Sequence, residues 1–238
     1  MPGTARSDTR VRRFPDAAAL AEALAADIVA SLQQGLRERR GASLVVAGGR
    51  SPVALFEKLS GVELDWPRVW VTLTDERWID ATSSDSNEQL VRKHLLRHAA
   101  ASANFVGMKN DAADPAGGAA ASWAAIAPLP RPFDYVLLGM GDDGHTASLF
   151  PDSPALGVAL DALQPPGCIG MRAPVAPHAR MSLNLSALLD ARRITLLIVG
   201  SGKWATYERV IMDGPVAQMP VRALLRQQRV PLAVYWSP

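Results

Sequence analysis

The 238-residue chain has one cysteine, Cys168, so no intramolecular disulfide framework can form and an intracellular, cytoplasmic setting is expected. That thiol lies in the turn Pro165-Pro166-Gly167-Cys168, with no neighbouring histidine or cation to activate it, and reads as inert. Histidines number four. His94 and His98 are spaced like metal ligands on a helix, yet the stretch lacks the glutamate of a zinc-protease motif and a third ligand, so neither metal nor cofactor is expected. No apolar run is long enough to cross a bilayer. Charge of one sign is also missing: 25 basic against 23 acidic residues leave a net +2, which gives no field to gather nucleic acid or an anionic membrane. A fixed-period repeat and a central low-complexity linker are absent too, which argues for one α/β domain over residues 14–238. Residues 1–13, with Arg6, Arg10, Arg12 and Arg13, read as a flexible tail, and no apolar segment follows to make them a targeting signal.

What is present suffices for a core: 48% of residues are hydrophobic and 20% charged. Leu20, Leu24, Ile28 and Leu32 recur at helical spacing across Asp16 to Gln34, and Arg37, Arg39 and Arg40 follow where they complement the helix dipole. Short apolar runs at Leu44 to Ala47, Val69 to Leu73, Phe133 to Leu138, Arg193 to Val199 and Leu232 to Trp236 predict strands. Between them, helices are predicted after Pro52, over Asn87 to Leu96, around Ala119 to Ile126, and over Trp204 to Met212. Pro151 to Pro177 reads as irregular. This alternation predicts an open, largely parallel sheet with helices on both faces.

In such a sheet, ligands sit outside the carboxyl ends of the strands. The third run empties there into Gly139-Met140-Gly141-Asp142-Asp143-Gly144-His145, a glycine-rich turn with two carboxylates and a histidine, which makes His145 the leading catalytic candidate. Gly139-x-Gly141-x-x-Gly144, with Asp161 downstream, fits a dinucleotide fingerprint. Asp142 and Asp143 would set negative charge against a pyrophosphate, and Pro151 limits the helix that could follow, so that reading is set aside. Gly48-Gly49-Arg50-Ser51 follows the first run, where backbone N–H groups and the Ser51 hydroxyl can meet phosphate oxygens. Gly200-Ser201-Gly202-Lys203 follows the fourth run; Leu197 and Trp204 break the nucleotide P-loop pattern, leaving Lys203 as a point charge for an anion.

These segments, with Thr74-Asp75-Glu76-Arg77-Trp78, Asp85-Ser86-Asn87, Arg180-Met181-Ser182-Leu183 and the continuation to Ser148-Leu149-Phe150-Pro151, resemble in order the motifs of 6-phosphogluconolactonases, over about residues 14 to 236. That group is allied to glucosamine-6-phosphate deaminases and ribose-5-phosphate isomerases. The resemblance implies their Rossmann-like fold and hydrolysis of a phosphorylated sugar lactone, 6-phospho-D-glucono-1,5-lactone, in the oxidative pentose phosphate pathway. It further implies a small-molecule partner only, with no nucleic acid or membrane, and a monomer or weak homo-oligomer.

On that reading His145 is the general base, Arg77 meets the developing oxyanion, and Asp143 orients His145 or holds the water. Gly48, Gly49, Arg50, Ser51, Arg180 and Lys203 take the phosphate, while Asp75 and Glu76 bind sugar hydroxyls or fix Arg77. Arg50 departs from the group, where a small polar residue is more usual. Deaminases carry an Asn-Glu-Pro element after the shared Asp-Gly-His core; here Ser148-Leu149-Phe150-Pro151 follows, which favours lactone hydrolysis. A sugar-phosphate sensor would carry a DNA-binding module, and one helix before Leu44 is too little for one.

Overall fold

The computed structural model describes residues 10–173 and 178–238. In chain order the strands are β1 (Arg10–Arg13), β2 (Ala42–Val46), β3 (Val69–Leu73), β4 (Asp75–Arg77), β5 (Asn104–Val106), β6 (Tyr135–Gly139), β7 (Cys168–Arg172), β8 (Ala179–Leu183), β9 (Ile194–Val199) and β10 (Leu232–Ser237). The helices are α1 (Ala17–Glu38), α2 (Val53–Ser60), α3 (Asn87–His94), α4 (Pro115–Ile126), α5 (Leu156–Ala159), α6 (Leu185–Leu188), α7 (Ser201–Val210) and α8 (Val221–Arg226). Among the described residues, no helix is long and apolar enough to cross a membrane.

Seven strands form one parallel sheet in the order β1-β10-β9-β6-β2-β3-β5. Its central strands are covered on both faces, and for that reason read as mostly apolar runs: all five residues of β2 are buried, Ser43 included. Helix α1 starts where the Asp16 side chain accepts from Ala19 N at 2.7 Å, and it lays Leu20, Leu24, Ile28 and Leu32 into the core. The strand order jumps from β9 to β6 to β2, so the crossovers leave the ends of β2, β6 and β9 facing a shared crevice.

A second, antiparallel sheet, β4-β8-β7, stands beside the first. The chain passes between the sheets at Thr74, whose N–H donates to Val46 O while its carbonyl accepts from Leu183 N, both at 2.9 Å. This sheet corrects the irregular reading of 151–177, since Cys168–Arg172 is a strand and Leu156–Ala159 a short helix; residues 174–177 lie outside the described residues.

The tail reading is corrected as well. Residues 1–9 lie outside the described residues, but Arg10–Arg13 pair in register with Ala233–Trp236 as an edge strand. The arginines that masked it as a tail are held by the neighbouring strand and helix. Arg12 pairs with Asp27 at 2.8 Å and lies over the Tyr235 ring, and Arg13 lies over Trp204. Charged residues are a usual device on an exposed sheet edge.

At the end of α1, Arg39 does more than complement a dipole, because it pairs with the buried carboxylate of Asp134 just before β6. The Asp134 carboxylate also accepts from Ser43 N at 2.9 Å, and Arg192 approaches it at 3.8 Å. Burial pushes the Asp134 carboxyl above its usual range, against these donors.

Candidate active site

The loop after β6 folds back on itself. Gly141 N donates to His145 O at 2.9 Å, Gly144 N to Gly141 O at 3.0 Å, and the Thr146 hydroxyl ties the loop to Gly139 O at 2.9 Å. A side chain at position 141 would overlap the His145 ring, so the glycine there lets the imidazole lie across its own loop. The His145 Nδ1 is 2.6 Å from Asp143 Oδ1, which also accepts from His145 N at 3.0 Å. A carboxylate only accepts, so this geometry puts the proton on Nδ1 and leaves Nε2 with the lone pair. Burial pushes the Asp143 carboxyl up, but the hydrogen bond and charge of His145 outweigh it and hold the group below the ordinary carboxylate value. Asp142 contributes its carbonyl, which accepts from Arg209 on α7 at 3.1 Å and so anchors the loop from outside.

Gly48, Gly49, Arg50, Ser51 and Lys203 line one cleft, together with the carboxyl ends of β6 and β9. Gly49 takes φ of +84°, the left-handed conformation that turns the chain from β2 toward α2. Among helices of eight or more residues, α1, α3 and α4 are capped by Asp16, Ser86 and Asp114, whereas α2 and α7 have no side-chain cap. These two are the helices that open at the cleft. The Val53 N–H that begins α2 turns back to Arg50 O at 3.3 Å, but the positive dipole ends of both helices face the cleft, and Lys203 sits in the first turn of α7.

The antiparallel sheet supplies the other wall. Arg77 on β4 and Arg180 on β8 are direct partners across the ladder, so their side chains share a face. Arg77 donates through Nη1 to Asp85 O at 2.8 Å and Asn87 Oδ1 at 2.6 Å. Arg180 is only 8% exposed, yet its guanidinium makes a single hydrogen bond among the described residues, to His178 O at 3.2 Å. Burial and the neighbouring Arg77 charge lower its pKa, an arrangement that leaves its remaining donors for an anionic ligand. Phe150 joins this wall to the histidine loop: its ring centre is 4.4 Å from that of His145, and Arg180 lies over it at 6.0 Å.

Asp75 and Glu76 separate in role. Asp75, partly exposed, is held by the Thr74 hydroxyl at 2.9 Å and the Ser148 hydroxyl at 2.6 Å. Glu76 is 1% exposed, and its two oxygens accept from Arg77 N, Asn87 N, Ser86 Oγ and Glu88 N. It clamps the start of α3 to β4 and has no exposed oxygen for a sugar hydroxyl, which corrects its assignment as a substrate ligand. Burial pushes its pKa up despite four donors that favour the ionised form.

Three residues with no role assigned from sequence are brought in by the fold: Asn87, Ser148 and Phe150. Each lies inside a segment that carried the resemblance, but only the tertiary contacts give it a job. Other expectations fall outside the site. His94 contacts Glu57 at 3.0 Å, and among the described residues no group of three His, Cys, Asp or Glu is placed to hold a metal. Cys168 begins β7, where burial pushes its thiol up to about 12, an unreactive state.

The family model for glucosamine-6-phosphate isomerases/6-phosphogluconolactonase matches residues 15–236. A 6-phosphogluconolactonase of Pseudomonas aeruginosa is 46% identical over 222 residues, covering 93% of this chain and 92% of that protein. The crystal structure of a 6-phosphogluconolactonase from Shewanella baltica superimposes with a TM-score of 0.93 at 42% identity, covering 98% of this chain and 99% of the other. A monomeric glucosamine-6-phosphate deaminase matches with a TM-score of 0.76 at 16% identity, over 96% and 97% of the two chains, which shows the common fold alone. Matched in this way over nearly its whole length, the chain belongs to the glucosamine-6-phosphate isomerase/6-phosphogluconolactonase family.

Proposed function

We propose that this protein hydrolyses 6-phospho-D-glucono-1,5-lactone to 6-phospho-D-gluconate, with His145 as general base. The observation that carries the reading is the 2.6 Å pairing of His145 Nδ1 with Asp143 beside a cleft whose cations have no carboxylate partner among the described residues. Asp143 holds the tautomer in which Nε2 accepts a proton from water. That water attacks the lactone carbonyl, and Arg77 stabilises the oxyanion of the tetrahedral intermediate. Collapse breaks the bond to the ring oxygen, which takes the proton from the imidazolium and leaves as the sugar hydroxyl. Water is consumed, the acid forms, and His145 returns to its neutral state.

The phosphate lies on the Gly49–Ser51 turn and the open ends of α2 and α7, with Lys203, Arg50 and the buried Arg180 as counter-charges. On this reading Asp75, held by the Thr74 and Ser148 hydroxyls, accepts from a sugar hydroxyl. The names of the relatives support this substrate, and the missing deaminase acid after His145 supports hydrolysis over amino-sugar isomerisation.

The test is lactone disappearance followed with purified protein and corrected for spontaneous hydrolysis, alongside a glucosamine 6-phosphate assay. Lactone decay above the blank, with no ammonia released from the amino sugar, is the expected result. Decay at the blank rate across neutral pH rejects the reading.

A further inference from the structure

Asn87 is 2% exposed and opens α3, yet it hydrogen-bonds to all three residues of β4. Its Nδ2 donates to Asp75 O at 2.7 Å, its Oδ1 accepts from Arg77 Nη1 at 2.6 Å, and its N–H donates to Glu76 Oε1 at 2.8 Å. The orientation of the amide is dictated by its partners, because a guanidinium only donates and a peptide carbonyl only accepts. The same oxygen that receives Arg77 also lies where a Cβ on residue 48 would be, so any side chain there would overlap it.

Gly48 does not share the positive φ of Gly49, so its missing side chain is explained by contact and not by conformation. The two glycines of one turn thus serve different ends. Gly49 bends the chain for the anion, and Gly48 admits the Asn87 amide.

We propose that Asn87 is a positioning residue that couples the anion-binding turn to Arg77, so that a phosphate seated on the turn holds Arg77 aligned over the reacting carbonyl. The inference rests on the lactonase reading above. Its physical basis is a rigid chain of contacts, from the turn backbone through one buried amide to the guanidinium, in which neither end can move without displacing the middle. Phosphate binding energy is then expressed as catalysis: the distant anion fixes the group that meets the transition state, in addition to holding the substrate.

Two measurements test it. In kinetics, Asn87→Ala is compared with the parent on the phosphorylated lactone and on unphosphorylated glucono-lactone. The kcat advantage of the phosphorylated substrate should shrink by about 10- to 100-fold, the scale expected when a catalytic group is misplaced by about an ångström. A residue that only supports the fold would lower both kcat values together. An unchanged ratio in an active parent therefore overturns the role of Asn87, whereas an inactive parent overturns the lactonase reading itself.

In thermal unfolding, Gly48→Ala should lower the midpoint by roughly 4 to 8 °C in the parent, the effect of overpacking a buried contact. In the Asn87→Ala background the same change should cost less than half as much, because the obstructing amide is gone. Equal costs in the two backgrounds mean that Asn87 is not what keeps position 48 bare, and the coupling fails on structural grounds whatever the kinetics.

Discussion

The two ends of the parallel sheet use the same residue types in opposite ways. At the amino end, before β2, β6 and β9, arginines are matched to carboxylates: Arg39 with Asp134, Arg131 with Asp190, and Arg192 with Glu38. At the carboxyl end Arg50, Arg77, Arg180 and Lys203 have no ion-pair partner among the described residues, and α2 and α7, the two helices that open at the cleft, lack side-chain caps. Matched charges hold the fold together. Unmatched charges, here with Arg180 buried, cost stability and persist where a ligand supplies the missing partner.

That contrast is broken first at the amino end. Asp134→Ala leaves Ser43 N without its acceptor and Arg39 without its counter-charge. It should lower stability by about 3 kcal/mol, the low end for a broken buried pair, because the arginine keeps some access to water. Denaturant unfolding measures the loss, and activity per folded molecule should not change. A drop in kcat of the folded variant would show that the two ends are not independent.

At the carboxyl end His145→Asn should lower kcat roughly 10²-fold or more, the scale for losing a general base, with the unfolding midpoint near that of the parent. An unchanged kcat would move the base to another group. Lys203→Ala and Arg180→Ala should each weaken the phosphorylated lactone by about 1.5 to 3 kcal/mol, as for hydrogen bonds to a charged group. Hydrolysis of unphosphorylated glucono-lactone should barely respond. Equal losses on both substrates would detach these cations from the phosphate.

The smallest effects are in the pH dependence of stability, where the two ends carry opposite signs. Asp143 is held below the ordinary carboxylate value of 3.8, so it contributes stability that is present above that pH and lost as pH falls through the folded value. Asp134 is raised above 3.8, so its contribution is full below that pH and is lost as pH rises through the folded value. Asp143→Asn should therefore flatten the rise of unfolding free energy with pH in the acid range, and Asp134→Asn should steepen it. Denaturant titrations at several acid pH values distinguish the two, and parallel slopes in both variants would contradict the assignment.

The legible parts of the fold are those whose chemistry repeats along the chain. β2, β3, β6, β9 and β10 are readable because each is a short run dominated by apolar residues, and α1 is readable because Leu20, Leu24, Ile28 and Leu32 keep one stripe. β4 is three charged residues, Asp75-Glu76-Arg77, with no pattern to mark it as a strand. It exists because β8 hydrogen-bonds to it. β1 is hidden in the same way by its arginines.

The alternating α/β plan, the His145 loop, the glycine turn and the cationic residues that follow strands are legible along the chain, since each depends on a local run of neighbouring residues. What those residues face is a matter of the assembled fold. It set Arg77 opposite Arg180, turned Glu76 inward as a clamp on α3, laid Phe150 between His145 and Arg180, and put Asn87 where Gly48 leaves room. These pairings join residues from separate segments, and they arise because the carboxyl ends of the parallel strands and the small antiparallel sheet meet at one crevice, a property of strand order that no local spacing encodes.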